Sequence, residues 1–155
     1  MRRESGVLKD FENWSIEQDN VRCAILMSSR VRSDATIDFL SDYDIELYVS
    51  DIEPFQLNDD WLNHFDEIMV RWPYKPRSAG KEGWITKLVL FDGGLRFDFQ
   101  ITDQLIMEPN QYDNGYKVLI DKDGIAKDLA PPTYSEYIIN KPSKEAFETL
   151  VNEFW

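Results

Sequence analysis

Leu26-Met27-Ser28-Ser29-Arg30-Val31-Arg32 and, beyond a polar connection through Asp34 and Asp38, Ser41-Asp42-Tyr43-Asp44-Ile45-Glu46-Leu47-Tyr48-Val49 form the stretch on which the reading of this chain turns. A short apolar strand ends in small hydroxyl residues and arginine, and about a dozen residues later a second apolar run opens with two carboxylates one residue apart. Side chains alternate faces along a strand, so Asp42, Asp44, Glu46 and Tyr48 are expected on one face and Tyr43, Ile45, Leu47 and Val49 on the other. The first face reads as acidic and the second as core.

Carboxylates at i and i+2 on a strand lie roughly 7 Å apart at Cα and repel when both are ionised without a cation. Magnesium removes that penalty by taking carboxylate oxygens together with substrate phosphate oxygens. A pair of such ions can clamp the attacking and leaving oxygens of an in-line displacement. The Ser28-Ser29-Arg30 turn offers hydroxyls, backbone N–H groups and a guanidinium to the same phosphates. Taken alone, Asp42-Tyr43-Asp44 reads more simply as an acidic strand end facing water.

Length and composition bound the rest. A chain of 155 residues fits one domain and suffices for a core. With 43% hydrophobic and 14% aromatic residues it is globular rather than disordered. The net charge of −12 argues against nucleic acid or an anionic membrane as partner, and permits a polycationic small molecule. A single cysteine, Cys23, excludes an internal disulfide and a cysteine-based zinc cluster, and its apolar surroundings place it in the core. The lone His64 reads as helix surface or core edge. No run approaches the roughly 18 apolar residues of a membrane helix. Arg2 and Arg3 precede no apolar leader, so the cytoplasm is the expected compartment.

In chain order, Val7, Leu8, Phe11, Trp14 and Ile16 predict an amphipathic helix over 2–17, and Val21–Met27 a short buried strand. Ser50–Pro54 reads as a turn, and Asn58-Asp59-Asp60 as N-cap candidates for a helix through Trp61, Leu62 and Phe65. Glu67–Arg71 reads as another short strand. A proline-containing loop over 72–80 follows, where Arg71, Lys75, Arg77 and Lys81 form a basic patch read as solvated rather than phosphate-contacting. Trp84–Phe91 and Leu95–Ile101 flank Asp92-Gly93-Gly94, a hairpin signal. On the second strand Arg96, Asp98 and Gln100 share a face. If that strand lies beside the strand of Asp42 and Asp44, three carboxylates converge. Thr102-Asp103 is expected to cap a short helix through Leu105 and Met107, and Lys117–Ile120 to form a strand. Pro142–Trp155 is expected to form a final helix with Ser143 as N-cap and a stripe of Phe147, Leu150, Val151 and Phe154, a surface for docking or self-association. The predicted architecture is an α/β (α+β) domain, a mixed, mainly antiparallel sheet of about five strands with helices mainly on one face.

Ser28-Ser29-Arg30, Asp42-Tyr43-Asp44 and Asp98 together resemble the nucleotidyltransferase superfamily. More closely, the chain is similar to the catalytic domain of the aminoglycoside 6-adenylyltransferases, the streptomycin-modifying enzymes. The likeness rests on Asp42–Ile45, Tyr48–Phe55, Asn58–Asn63, Lys117–Asp123 and Asn152–Trp155, and covers nearly the whole chain. It implies a nucleotidyltransferase fold over 1–155 and transfer of AMP from ATP, with magnesium, to a hydroxyl of an aminoglycoside such as streptomycin. It further implies Asp42 and Asp44 as metal ligands and Asp98 as third carboxylate, either ligand or the base for the acceptor's proton. Ser28, Ser29 and Arg30 fall where the family holds the triphosphate. The family's turn usually reads Gly-Ser-Arg, and Ser28 stands here in place of the glycine, whose freedom at positive φ bears on nucleotide affinity. Members resembling this chain carry a further helical domain that helps form the aminoglycoside site, and that domain is expected to be absent from these 155 residues. The alternative is a degenerate or truncated, non-catalytic module of the same fold acting in protein interaction, as antitoxins do.

Overall fold

The computed structural model describes residues 4–75, 83–135 and 141–154. Helix α1 (Glu4–Glu17) leads into strand β1 (Val21–Met27), a 3-10 turn at Ser28–Val31, and β2 (Tyr43–Val49). Then come a short helix α2 (Glu53–Leu57), a 3-10 turn at Asp60–His64, β3 (Ile68–Trp72), β4 (Trp84–Phe91), β5 (Arg96–Thr102), β6 (Lys117–Asp121) and α3 (Lys144–Phe154). Arg77 and Lys81 of the basic loop, and Trp155, lie outside the described residues.

The strands form one sheet in the order β3-β4-β5-β2-β1-β6. Among the described residues the sheet has six strands, where about five are expected, with β3 and β6 at its edges. Four of the five pairings are antiparallel and one, β2 with β5, is parallel. That parallel pair sits at the centre, because the chain leaves the end of β2 and returns through α2, β3 and β4 before entering β5 in the same direction. The hairpin between β4 and β5 closes where Phe91 N–H donates to Leu95 O at 2.8 Å. Gly93 and Gly94 turn there at φ +81° and +87°, backbone that side chains other than glycine's disfavour.

Alternation builds two apolar layers. Tyr43, Ile45, Leu47 and Val49 of β2 join Phe97, Phe99 and Ile101 of β5 in the main core, which α1 covers with Val7, Phe11 and Trp14 at helical spacing. Ile16, counted in that stripe from the sequence, faces solvent at 61% exposure. Phe55 of α2 and Leu62 and Phe65 near the second 3-10 turn close the same layer. The opposite sheet face is acidic only at one end, because residues 105–129 lay a second core over Cys23, Ile25 and Tyr48, with Tyr112 and Ala126. The strand β1 is accordingly buried on both faces. The helix expected through Leu105 and Met107 does not form. The Thr102 hydroxyl donates to Gly83 O and accepts from Gln104 N–H, and Leu105 and Met107 pack inward while Ile106 between them is exposed, the period of extended chain.

Two further expectations meet the structure differently. Ser143 does cap α3, its hydroxyl accepting from Ala146 N–H at 3.1 Å, and the stripe of Phe147, Leu150 and Val151 is exposed. Asp59, an expected cap, sits before the second 3-10 turn without making a side-chain cap bond. Its carboxylate instead meets the buried Lys87 ammonium at 2.5 Å. Arg71 Nε lies 3.2 Å from the other Asp59 oxygen without hydrogen-bond geometry, so that contact is electrostatic.

Cys23 is fully buried, and desolvation, with the nearby Asp121 charge adding to it, pushes its thiol up to about 12. Ellman's reagent at pH 8 is therefore expected to label no thiol in the native protein and one per chain in denaturant; rapid native labelling would contradict the buried placement. Among the described residues no helix is long and apolar enough to cross a membrane.

Candidate active site

The site forms where β1, β2 and β5 meet at one end of the sheet. In the parallel register Asp44 lies directly beside Asp98, and on the other side of β2 Asp44 pairs with Met27, the last residue of β1. Asp42 precedes β2, which begins at Tyr43, so it is not itself on the strand face as expected from alternation. Its carboxylate nevertheless joins the other two: one oxygen from each of Asp42, Asp44 and Asp98 lies within 4.8 Å of the others.

Bringing three carboxylates together has an electrostatic cost that is visible in Asp44. Burial is the largest influence and raises its carboxyl above the usual range, and repulsion from Asp42 raises it further. The Ser28 hydroxyl, hydrogen-bonded to Asp44, works the other way; Asp98 adds repulsion and Arg96 offsets part of it. The donor set, hard oxygens whose ionised state the neighbours disfavour, fits a divalent cation such as magnesium.

Ser28, Ser29 and Arg30 form the 3-10 turn that leaves β1, next to Asp44. Ser28 stands at φ +62°, the left-handed conformation the family's glycine would adopt without strain. Ser28→Gly is accordingly expected to be more stable than Ser28→Ala by about 1 kcal/mol, since both lose the hydroxyl and only alanine keeps the disfavoured Cβ. Urea midpoints would measure this, and equal midpoints would show that the turn relaxes. Arg30 is engaged with the protein: Nε donates to Asp42 O at 2.7 Å, Nη2 to Ser41 O, and Cζ lies 3.6 Å from the centre of the Tyr43 ring. The arginine thus pins the backbone that delivers Asp42.

Arg96 is a participant that sequence reasoning left without a role. It forks onto Asp98 through Nε at 3.2 Å and Nη2 at 3.0 Å, and Nη2 lies 3.4 Å from Asp42. Its position two residues before Asp98 on one strand was the available signal. Glu46, two residues along from Asp44, is taken up differently. The hydroxyls of Tyr48 and Tyr112 both donate to it, and burial, the largest influence, raises its carboxyl while those bonds oppose. It belongs to the roof over the second core rather than to the trio.

A cavity of about 390 Å³ lies between α1 and the β4–β5 turn, bordered by Val7, Arg30, Tyr43, Gly93 and Arg96; none of the three carboxylates lines it, and Arg96 is the residue it shares with the trio's surroundings. That volume is in the range of small-ligand sites.

The streptomycin adenylyltransferase family model matches residues 1–155. Aminoglycoside 6-adenylyltransferases of Bacillus subtilis (strain 168), Staphylococcus aureus and Campylobacter jejuni are 31%, 28% and 29% identical, each comparison covering 100% of this chain. The chain covers 56%, 57% and 55% of those relatives, a little over half their length. A crystal structure of an aminoglycoside 6-adenyltransferase from Bacillus subtilis aligns with a TM-score of 0.50 at 21% identity, over 100% of this chain and 54% of that one. That likeness bears on the fold alone.

Proposed function

The chain belongs to the streptomycin adenylyltransferase family, and on that premise we propose that it transfers AMP from magnesium-ATP to a hydroxyl of an aminoglycoside such as streptomycin. The observation that carries the reading is the in-register Asp44–Asp98 pair with Asp42 closing the trio. The curated relatives, each named an aminoglycoside 6-adenylyltransferase, support the acceptor class. A convergent trio also weighs against the non-catalytic module, in which nothing would maintain the repulsion at Asp44.

In the reaction the acceptor hydroxyl loses its proton, its oxygen forms a bond to the α-phosphorus, and the bond from that phosphorus to the bridging oxygen breaks to release pyrophosphate. Asp42 and Asp44, with Asp98 as the third carboxylate, would hold magnesium, which when bound supplies neutralisation of charge on the phosphates and on the departing pyrophosphate. Asp98 takes the acceptor's proton on a carboxylate oxygen, its strand position fixing that oxygen beside Asp44. Ser28 and Ser29 face the nucleotide from the 3-10 turn, and Arg30, by holding the Ser41-Asp42 carbonyls, keeps the phosphate end of the site in shape. The net charge of −12 favours capture of a polycationic acceptor. Consumption of ATP places the protein in the cytoplasm on this reading, and residues 1–155 serve as its catalytic domain.

Pyrophosphate release from ATP and magnesium, followed with and without streptomycin, tests the proposal. Release that depends on streptomycin and disappears in Asp98→Asn is the expected result. Absence of release together with absence of calorimetric magnesium-ATP binding would overturn it.

A further inference from the structure

The guanidinium of Arg96 lies against two of the three carboxylates. It donates to both oxygens of Asp98 and sits 3.4 Å from Asp42 while remaining 46% exposed. Asp98 and Asp42 keep only 16% and 27% of their side-chain surface, so the arginine is the group with room to move. A divalent ion ligated by the same carboxylates would stand within a few ångströms of this fixed positive charge, in a partly desolvated setting where like charges repel strongly. Arginine and metal therefore compete for one set of oxygens.

We propose that Arg96 is the internal counter-ion of the trio: it holds Asp42 and Asp98 converged while no metal is bound, and must withdraw from them when a divalent cation binds. The inference rests on the reading of the trio as a metal site, and assigns Arg96 as a positioning residue rather than a catalytic one. Two effects follow from the same contacts. The carboxylates are pre-arranged at reduced mutual repulsion, and affinity for the bare ion is lowered, so that the site loads best when the ion arrives with a polyphosphate that adds ligands of its own. The cavity that Arg96 already borders offers the withdrawn guanidinium space away from the carboxylates.

Titration with Mn²⁺ alone, read by the loss of the free-ion signal in electron paramagnetic resonance, tests this without turnover. Arg96→Gln is expected to bind Mn²⁺ about threefold to tenfold more tightly than the parent chain, the loss of a half-exposed ionic contact to two carboxylates. Arg96→Lys, which keeps the charge but not the fork, is expected to show a smaller gain in the same direction and provides the reading should the glutamine variant fold poorly. A residue that served only to shape the site would weaken binding when replaced, so the direction of the change is diagnostic. Binding by the parent chain that is lost in Asp44→Asn yet no tighter in either Arg96 variant would overturn this inference and leave the metal site standing. Failure of every form to take up Mn²⁺ would overturn both.

Discussion

Asp44→Asn is expected to eliminate magnesium-ATP binding, and pyrophosphate release with it, whereas Asp98→Asn is expected to keep most of the binding and lower turnover by on the order of 10²–10⁴-fold. The difference follows from position. Asp44 is the middle member, coupled to Asp42 on one side and Asp98 on the other, and it receives the Ser28 hydroxyl. Its neutralisation leaves the two outer carboxylates without the ligand between them, which is the larger loss for a cation that requires several oxygens in strict geometry. Asp98 stands beside Asp44 with Arg96 bridging it to Asp42, and its replacement removes one acceptor and the proton-accepting oxygen. Calorimetry with magnesium-ATP and a pyrophosphate assay on the same preparations separate the two. Unchanged magnesium-ATP binding in Asp44→Asn would show that the trio does not hold the metal, and equal loss of binding in both variants would show that Asp98 serves the metal as much as Asp44 does.

The second large effect lies in the fold. Asp59→Ala is expected to cost about 3–5 kcal/mol, a large part of the stability of a domain of this size. Lys87 lies mid-strand on the core face of β4, 3% exposed at its side chain, and its ammonium meets Asp59 at 2.5 Å. Removing the carboxylate strands that charge beside Ile85, Val89 and the aromatic core, where a buried charge without its counter-ion is costly. Replacing both residues, Asp59→Leu with Lys87→Met, is expected to recover most of the loss, since an apolar pair of similar volume avoids the desolvation of two charges. Urea unfolding of the three proteins measures this. A cost below about 1 kcal/mol for Asp59→Ala would mean that Arg71, already 3.2 Å from Asp59, lies over a more open environment than the burial of Lys87 indicates.

Much of the candidate site was legible because strands write their faces into sequence. Alternation singled out Asp44 and Asp98, and the Asp92-Gly93-Gly94 turn announced the hairpin that ends in Asp98. The exchange of serine for glycine at position 28 pointed to a backbone requirement, and the turn does stand at positive φ. Arg96 was visible as the partner of Asp98 on one face, but nothing local says that an arginine will fork onto the carboxylate two residues away rather than extend into water. Glu46 shows the reverse case. It shares the acidic face by alternation, yet Tyr112, 66 residues distant, takes it out of the trio. Residues 102–108 misled for a related reason: a threonine and an aspartate before apolar residues look like a helix start, and the strand-like inward packing of Leu105 and Met107 depends on a layer that only the folded chain contains.

By itself the sequence determined what depends on neighbours a few positions away: where most strands, the hairpin, the first helix and the cap of the last helix fall, and which carboxylates face the same way. Those properties arise from backbone sterics, side-chain alternation and short-range hydrogen bonds, which act within a turn or a strand. The tertiary structure decided the rest. It laid β5 parallel to β2 so that Asp98 met Asp44, set Lys87 against Asp59 in the core, roofed Glu46 with tyrosines, and placed Arg96 across the acidic trio. Each of these is a pairing between residues brought together by chain topology or an ionic state set by desolvation, and both exist only once the sheet has closed and water has been excluded.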